Sequence, residues 1–247
     1  MPRKARIKSS SGIYHIMLRG INKQMIFLDN EDYKKFLCII KECKAVCEFE
    51  LFAYCLMGNH IHLLIKEGRE RIDLIFKRIG SRFVYWYNKK YSRCGHLFQD
   101  RFLSEAIESD AYFITVFNYI HQNPLEAGLC KSINEYKWSS YFDYINKNGM
   151  TDIDFAISLI GNKSIETLFN KDESIKLKEN FDGKIKLSDI EAIRLIENTL
   201  KIKLDMIPLE PRDKMKNILR NALNIEGIST RQLSRITGVS KNKIWAL

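Results

Sequence analysis

The segment YCLMGNHIHLLI, residues 54–65, constrains the fold more than any other part of this chain. Its apolar residues on both sides of Gly58 and Asn59 predict two β-strands joined by a tight turn. Because successive side chains of a strand point to opposite faces, His60 and His62 would point to the same face. Two imidazoles placed in this way can share one metal ion, although the same spacing also arises by accident. The segment therefore predicts a hairpin that carries a candidate metal site.

A second segment, NYIHQNP at residues 118–124, supplies side chains that complement the histidine pair. Its helical pattern places Tyr119 and Asn123 one turn apart on one face of a helix. A phenol, an amide and a metal pair together make a workable site for attack on a phosphodiester. Two other roles stay open, since Tyr119 could be a core aromatic and Asn123 could only cap the helix. We expect the helix to end at Asn123, because Pro124 disfavours helical geometry in the residue before it.

Two further histidines have less specific surroundings. His121 lies between Tyr119 and Asn123 in the sequence, where it is a competing ligand or DNA contact. Its position on a helix, however, directs it away from the face that those two residues share. His15 lies on the first predicted strand, and we expect it to be structural or to contact a phosphate.

Four segments give the chain a specific resemblance. They are YHIMLRG at 14–20, MGNHIHLL at 57–64, GHLFQDRF at 95–102 and YIHQNPLEAGL at 119–129. In this order they resemble the HUH-type single-tyrosine transposases, most closely the REP-associated tyrosine transposases. The resemblance covers residues from about 1 to 145 and does not reach the last hundred residues. One departure is Gly58, where the resemblance leads us to expect proline, in the turn before the histidines.

The resemblance implies a function and a set of site residues. The protein would be a single-strand DNA endonuclease and strand transferase, a transposase, acting on hairpin or repeat ends. Tyr119 would be the nucleophile and would form a covalent 5′-phosphotyrosine. His60, His62 and Asn123 would bind a divalent metal ion. Two imidazoles suit Mn²⁺, whereas availability in the cell favours Mg²⁺.

Two other functions remain as alternatives. The first is a non-catalytic DNA-binding regulator derived from such a transposase, and the intact His60, His62, Tyr119 and Asn123 argue against it. The second is a zinc hydrolase, which needs a carboxylate base beside the histidine pair. Glu67 is the nearest carboxylate in sequence, but its strand parity differs from that of the two histidines.

Hydrophobic periodicity along residues 1–145 predicts the order strand, helix, strand, strand, helix, strand, helix. The expected strands are 13–19, 49–57, 60–66 and 98–107, and the expected helices are 30–47, 72–91 and 110–122, the first capped by Asp29 or Asn30. This order predicts the α+β class, with a ferredoxin-like antiparallel sheet and helices packed on it. The resemblance implies the same fold.

The C-terminal part predicts a smaller all-α domain. We expect a transposase domain at 1–145, a helical linker region at 146–210 and a DNA-binding segment at 211–247. Residues 228–245, ISTRQLSRITGVSKNKIW, suggest a helix-turn-helix in which Ser229 and Gln232 form a capping box. A helical hairpin that only closes the domain is the alternative.

The net charge of +10 favours a polyanionic partner. Basic residues interleaved with aromatic residues suit single-stranded DNA, where bases stack and cations follow phosphates. The candidate DNA contacts are Arg3, Lys4, Arg6, Arg19, Arg82, Lys89, Arg101, Arg231, Arg235, Lys241 and Lys243. No apolar run is long enough for a membrane span, and no signal core follows the basic N-terminus, so we expect a cytoplasmic protein. Whether it forms a homodimer stays open.

Overall fold

The computed structural model of the protein describes residues 6–160, 178–180, 184–186, 189–209, 211–225 and 228–245. The chain divides into two compact units, which we describe separately. The first comprises residues 1–108 and 116–174, and the second comprises residues 109–115 and 175–247.

The first unit is built on a four-stranded antiparallel sheet. Its elements are β1 (Ile13–Arg19), α1 (Asn30–Cys47), β2 (Glu50–Leu56), β3 (His60–Lys66), α2 (Ile72–Lys90), β4 (Leu103–Ala106), α3 (Asp110–Glu126, shared with the second unit), α4 (Tyr141–Asn146) and α5 (Ile153–Ile160). The strand order is β2-β3-β1-β4, and every pairing is antiparallel. The predicted α+β class with an antiparallel sheet and packed helices is therefore confirmed.

One face of the sheet is apolar and packs on α1 and α2. Ile16, Leu63 and Ile65 are fully buried on this face. They share one hydrophobic core with side chains from α1 and α2, among them Phe36, Ile40, Ile75, Ile79 and Phe83. Burial of this much apolar surface is the main favourable contribution to folding. It also decides the register, because a shift by one residue would turn the apolar side chains away from the helices.

The opposite face carries polar residues at alternating positions. His60 and His62 point to this face, and the antiparallel register sets Arg19 opposite His60 and Met17 opposite His62. His15, two residues before Met17, lies on the same face. The C-terminal half of α3 covers this face, since the Tyr119 ring contacts the rings of His15 and His62.

A short segment after α3 covers the outer edge of β2. The Leu56 amide donates to the Trp138 carbonyl, and the Ser140 amide donates to the Tyr54 carbonyl. The Tyr144 hydroxyl donates to the Phe52 carbonyl at 2.6 Å, at the irregularity where the pairing with β3 shifts register. These bonds satisfy backbone groups that an exposed edge strand would offer to another chain.

Two predicted boundaries in the first unit are wrong. The fourth strand was expected at 98–107, but β4 covers only Leu103–Ala106. Phe98 makes a single bridge to Gly20, and polar residues follow it before the strand begins. Phe98 and Phe102 still pack on the core, so their alternation reports burial rather than a continuous strand.

Helix α3 also continues past its predicted end, to Glu126. Pro124 lacks an amide hydrogen, which removes one hydrogen bond of the helix. The Ala127 amide still donates to the Asn123 carbonyl, and the Leu129 amide donates to the Pro124 carbonyl. The last turn therefore forms around the proline.

The second unit has its own small core. Its elements after α3 are β5 (Lys178–Asn180), β6 (Lys184–Lys186), α6 (Asp189–Leu200), α7 (Arg212–Asn224), α8 (Thr230–Thr237) and α9 (Lys241–Trp245). The core contains Ile196, Leu219, Leu233 and Ile244. The all-α prediction is wrong, because β5 and β6 pair as an antiparallel hairpin. The sequence between these strands contains Asp-Gly, a dipeptide typical of hairpin turns.

Helices α8 and α9 lie where the helix-turn-helix was predicted. The Ser229 hydroxyl accepts from the Gln232 amide, and Gly238 ends α8 with a φ of 71°, which favours glycine. The Gln232 side-chain amide donates to Asp189 at the start of α6. These local features agree with the predicted turn, while DNA binding by the segment stays a prediction. In the described residues, no helix is long and apolar enough to cross a membrane.

We predict that Asp29→Ala lowers the free energy of unfolding, because it removes the side-chain cap of α1. The Asp29 carboxylate caps α1 by accepting from the Glu31 and Asp32 amides, and it also binds the Lys90 ammonium. Urea denaturation monitored by circular dichroism would measure the loss. The matched control is Asn30→Ala, one residue inside the helix, which should change stability by less than half as much. Equal losses in the two variants would contradict the assignment of Asp29 as the cap.

Candidate active site

The two histidines of the hairpin lie side by side at the start of β3. Their ring centroids are 5.1 Å apart and the rings are nearly perpendicular, at 88°. His62 is buried, whereas His60 at the strand end is half-buried. The strand therefore presents two imidazoles on one face, as the alternation of side chains predicted.

Each of these imidazoles uses its Nδ1 atom in a hydrogen bond. His60 Nδ1 lies 2.7 Å from the Asn59 side-chain oxygen, and His62 Nδ1 lies 3.0 Å from His15 Nε2. An amide oxygen only accepts, so His60 donates from Nδ1 and keeps its lone pair on Nε2. Nε2 is then the atom through which His60 would bind a metal ion.

Helix α3 brings Tyr119 against the histidine pair. The Tyr119 ring meets His62 edge-on, with centroids 5.5 Å apart and an angle of 87°. It also meets His15 edge-on at 6.0 Å. Only 2% of the Tyr119 surface is exposed. The phenol and the imidazoles, which lie almost sixty residues apart in the sequence, therefore converge at one place on the sheet.

Asn123 lies one turn beyond Tyr119 and is 6% exposed. Its Nδ2 atom is buried, and the described part of the chain offers it no hydrogen-bond partner. A buried amide nitrogen without a partner is costly, because no protein group replaces the hydrogen bond that it makes to water. A half-turn of the amide exchanges Oδ1 and Nδ2 and would place a metal-binding oxygen at the same position.

His60, His62 and Asn123 carry donor types that a divalent metal ion takes. The expected set contains two imidazoles and one amide oxygen, which suits Mn²⁺ or Mg²⁺ in a site that also takes oxygen ligands from DNA. No group of three or more His, Cys, Asp or Glu side chains in the described ranges could hold a metal ion. The expected set has two histidines and an amide, so that search does not test it.

The sequence over the same elements matches the model of a known family. Residues 8–123, which include β1 to β4, the histidine pair and Tyr119, match the family model described as transposase, IS200 like. The match covers 116 of the 247 residues, and this part of the chain is similar to that family. The resemblance expected from the four sequence segments is thereby confirmed, and we call residues 8–123 the transposase domain.

One curated protein and one solved structure are similar to this chain. The REP-associated tyrosine transposase of Escherichia coli (strain K12) is 23% identical over 158 residues, which are 62% of this chain and 89% of that protein. A solved structure of a REP-associated tyrosine transposase bound to a REP hairpin is 19% identical and covers 62% of this chain and 96% of that chain. Its TM-score of 0.53 supports the fold.

The polar network behind the histidine pair of the transposase domain was missed in the sequence. His15 is fully buried, and Glu105 on β4 is 6% exposed. His15 Nδ1 lies 3.8 Å from the Glu105 carboxylate. The sequence did show that His15 and Arg19 are an even number of residues apart and so face the same side of β1. The register between β1 and β4, however, cannot be read from one sequence.

His121 has a structural role in the transposase domain. It is fully buried, its Nδ1–H donates to the Phe117 carbonyl at 2.8 Å, and its Nε2 accepts from the Ser140 hydroxyl at 2.8 Å. Ser140 Oγ in turn accepts from the Tyr54 amide on β2. This chain of bonds ties α3 to the edge of the sheet. Burial lowers the pKa of His121 to about 4, so the ring is neutral near pH 7.

Two of the predicted DNA contacts in the first unit lie on β1 or pack on Phe102, just before β4. Arg19 ends β1 opposite His60, which places a cation at the edge of the histidine face. The Arg6 guanidinium stacks on the Phe102 ring at 3.7 Å and donates to the Phe102 carbonyl. Arg101 is exposed next to Phe102. Arg3 and Lys4 lie outside the described residues.

Other predicted contacts are not brought to the histidine pair. Arg82 and Lys89 lie on α2, which packs on the apolar face, so they are on the other side of the sheet. Arg82 is also paired with Glu42. In the second unit, Arg231 and Lys243 are exposed and Lys241 is half-buried. Arg235 forms a two-point ion pair with Asp189, which competes with a role in DNA binding.

We predict that His121 makes the stability of the protein depend on pH. Its pKa is lower in the folded state than the ordinary 6.5, so the unfolded chain binds the proton more tightly. The free energy of unfolding should therefore fall as pH drops from 6.5 towards 4, by about 2–3 kcal/mol from this residue. Urea denaturation at pH 7.5 and 4.5 measures the difference.

The variant His121→Gln should be less stable at pH 7.5 but should lose less stability on acidification than the wild type. His96→Gln is the control, because His96 is an exposed histidine outside the network. It should keep the wild-type dependence on pH. The same dependence in His121→Gln as in the wild type would show that another group is responsible.

Proposed function

We propose that the protein is a metal-dependent single-strand DNA endonuclease and strand transferase that cleaves hairpin or repeat ends through Tyr119. The observation that carries this proposal is the contact between the Tyr119 ring and the imidazole of His62, beside His60. A nucleophile and a metal-binding pair must meet at one phosphorus atom for this reaction. The similarity of residues 8–123 to a transposase family supports the same conclusion.

The chemical step would be a transesterification at phosphorus. The Tyr119 phenol oxygen would form a bond to the scissile phosphorus, and the bond from phosphorus to the 3′ oxygen would break. The phenol loses one proton and the departing 3′ oxygen gains one. A 5′-phosphotyrosine and a free 3′-hydroxyl result, and attack by a 3′-hydroxyl reverses the step. Because the phosphoester is conserved, strands can be rejoined without another energy source.

His60, His62 and Asn123 would hold the metal ion. When bound, a divalent cation draws charge from the phosphate oxygens and lowers the barrier to displacement. The pKa of an ordinary phenol is about 10, so a nucleophilic tyrosine needs an electropositive site near pH 7. Arg19, opposite His60, would add a second positive charge and orient the DNA backbone.

A DNA hairpin is the partner that we favour. The fold of this chain is similar to that of a REP-associated tyrosine transposase bound to a REP hairpin. We propose that Arg6, Arg19 and Arg101 contact the DNA near the cleavage site, and that α8 and α9 add affinity through Arg231 and Lys243. Arg82 and Lys89 on α2 face away from the histidine pair, so they would attract DNA only by long-range electrostatic attraction.

Tyr119→Phe should abolish the covalent adduct and keep DNA binding, because only the nucleophilic oxygen is removed. A pool of hairpin-bearing single-stranded DNAs, labelled at the 3′ end and incubated with Mn²⁺, would be run on a denaturing gel. The label then stays with the fragment joined to the protein. Tyr112→Phe, a buried tyrosine in the same helix, is the matched control and should keep the adduct. An adduct of wild-type yield in Tyr119→Phe would rule out this nucleophile. No adduct from the wild-type protein, with hairpin binding intact, would favour the DNA-binding regulator.

Replacing both His60 and His62 by Ala should remove metal-dependent cleavage and leave hairpin binding within a factor of a few. The loss follows from removal of two of the three proposed ligands, and cleavage with and without Mn²⁺ or EDTA measures it. His96→Ala is the control for loss of a histidine elsewhere. Metal-dependent cleavage that survives the double substitution would place the metal ion at other residues.

A further inference from the structure

A third histidine lies directly behind the metal-binding pair. His15 Nε2 is 3.0 Å from His62 Nδ1, and the two rings stack with centroids 5.2 Å apart and an angle of 19°. His15 is fully buried and His62 is 1% exposed. Two buried rings held in this way have little freedom to rotate, so His15 determines the direction in which His62 points.

A carboxylate lies behind His15 in turn. Glu105 is the direct cross-strand partner of His15 in the pairing of β1 with β4. Its carboxylate oxygen is 3.8 Å from His15 Nδ1, and the residue is 6% exposed. The three side chains form a row across strands β4, β1 and β3, which ends at the candidate metal site.

The order of the row determines where each proton lies. A carboxylate favours a proton on the facing Nδ1 of His15, which leaves the lone pair of that ring on Nε2. His15 Nε2 can then accept only from His62 Nδ1–H, and the lone pair of His62 is directed out through Nε2. Asn59 has the same effect on His60, because its oxygen accepts from His60 Nδ1–H.

We propose that His15 and Glu105 are positioning residues that hold His62 in the tautomer and orientation needed to bind the metal ion. The inference rests on the proposed function, in which His62 is a ligand. Partners of this kind raise the basicity of a ligating imidazole and prevent its rotation. In this proposal Glu105 and His15 act through His62 and are not themselves metal ligands.

The test measures Mn²⁺ affinity by electron paramagnetic resonance of the full chain, without DNA and without turnover. His15→Leu removes the acceptor and should weaken Mn²⁺ binding by about 10–100-fold. His15→Gln can place an oxygen where Nε2 lies and should recover most of the affinity. Leu64→Met is the control, because Leu64 is buried opposite His15 and has no polar atom. It should bind Mn²⁺ as the wild type does.

Glu105→Met provides a second measurement that does not depend on the folding of the His15 variants. It removes the negative charge that favours the proton on His15 Nδ1 and should weaken Mn²⁺ binding by several-fold. Pulsed resonance should detect two coordinated imidazoles in the wild type and two in His15→Gln. Three imidazoles in the wild type would make His15 a direct ligand and would overturn the positioning role.

The outcomes separate this inference from the proposed function. Wild-type Mn²⁺ affinity in both His15→Leu and Glu105→Met would overturn the positioning role and leave the metal site intact. If His15→Leu weakens Mn²⁺ binding and His15→Gln does not recover it, His15 does not act by accepting a hydrogen bond from His62. Equal Mn²⁺ affinity in the wild type and in the protein with His60 and His62 replaced by Ala would instead refute the metal site itself.

Discussion

The pleat of strand β3 is the constraint on which the rest of the transposase domain depends. β3 pairs on both sides, so its alternation is imposed on β2 and β1 through the register. Odd-numbered residues 61, 63 and 65 are apolar and bury against α1 and α2. The even-numbered positions then have to face α3, and two of them are histidines. The core and the site therefore depend on the same strand register, since a shift of β3 by one residue would destroy both.

The sequence predicted the features that have a short period or lie close together. The histidine pair on one strand face and the single helical turn from Tyr119 to Asn123 both follow from local geometry. The approach of α3 to the histidines required the resemblance to a family, because no local rule places a helix against a sheet face. The resemblance of residues 8–123 to that family was confirmed, whereas the roles of the site residues stay proposals.

The features that the sequence did not reveal depend on the register between strands or on which of two possible partners a residue binds. The pairing of His15 with Glu105 needs the alignment of two strands about ninety residues apart. Helix α3 passes Pro124 because bonds from Ala127 and Leu129 continue the last turn, which the proline rule alone does not foresee. Arg235 looked available for DNA until the structure placed Asp189 beside it. In each case a second, distant residue decides the outcome.

The buried histidines of this domain divide into two kinds, and the difference separates scaffold from site. His121 has both ring nitrogens bonded within the fold in its neutral form, and its environment lowers its pKa to about 4. It ties α3 to the sheet whatever the ligand. His15 and His62 instead share one hydrogen bond in a row that begins at a carboxylate and ends at the candidate metal site. Burial of so many polar groups on one face is costly for stability, and folds accept such a cost mainly at functional sites. The apolar face balances that cost, because it buries the large core that holds the strands in register.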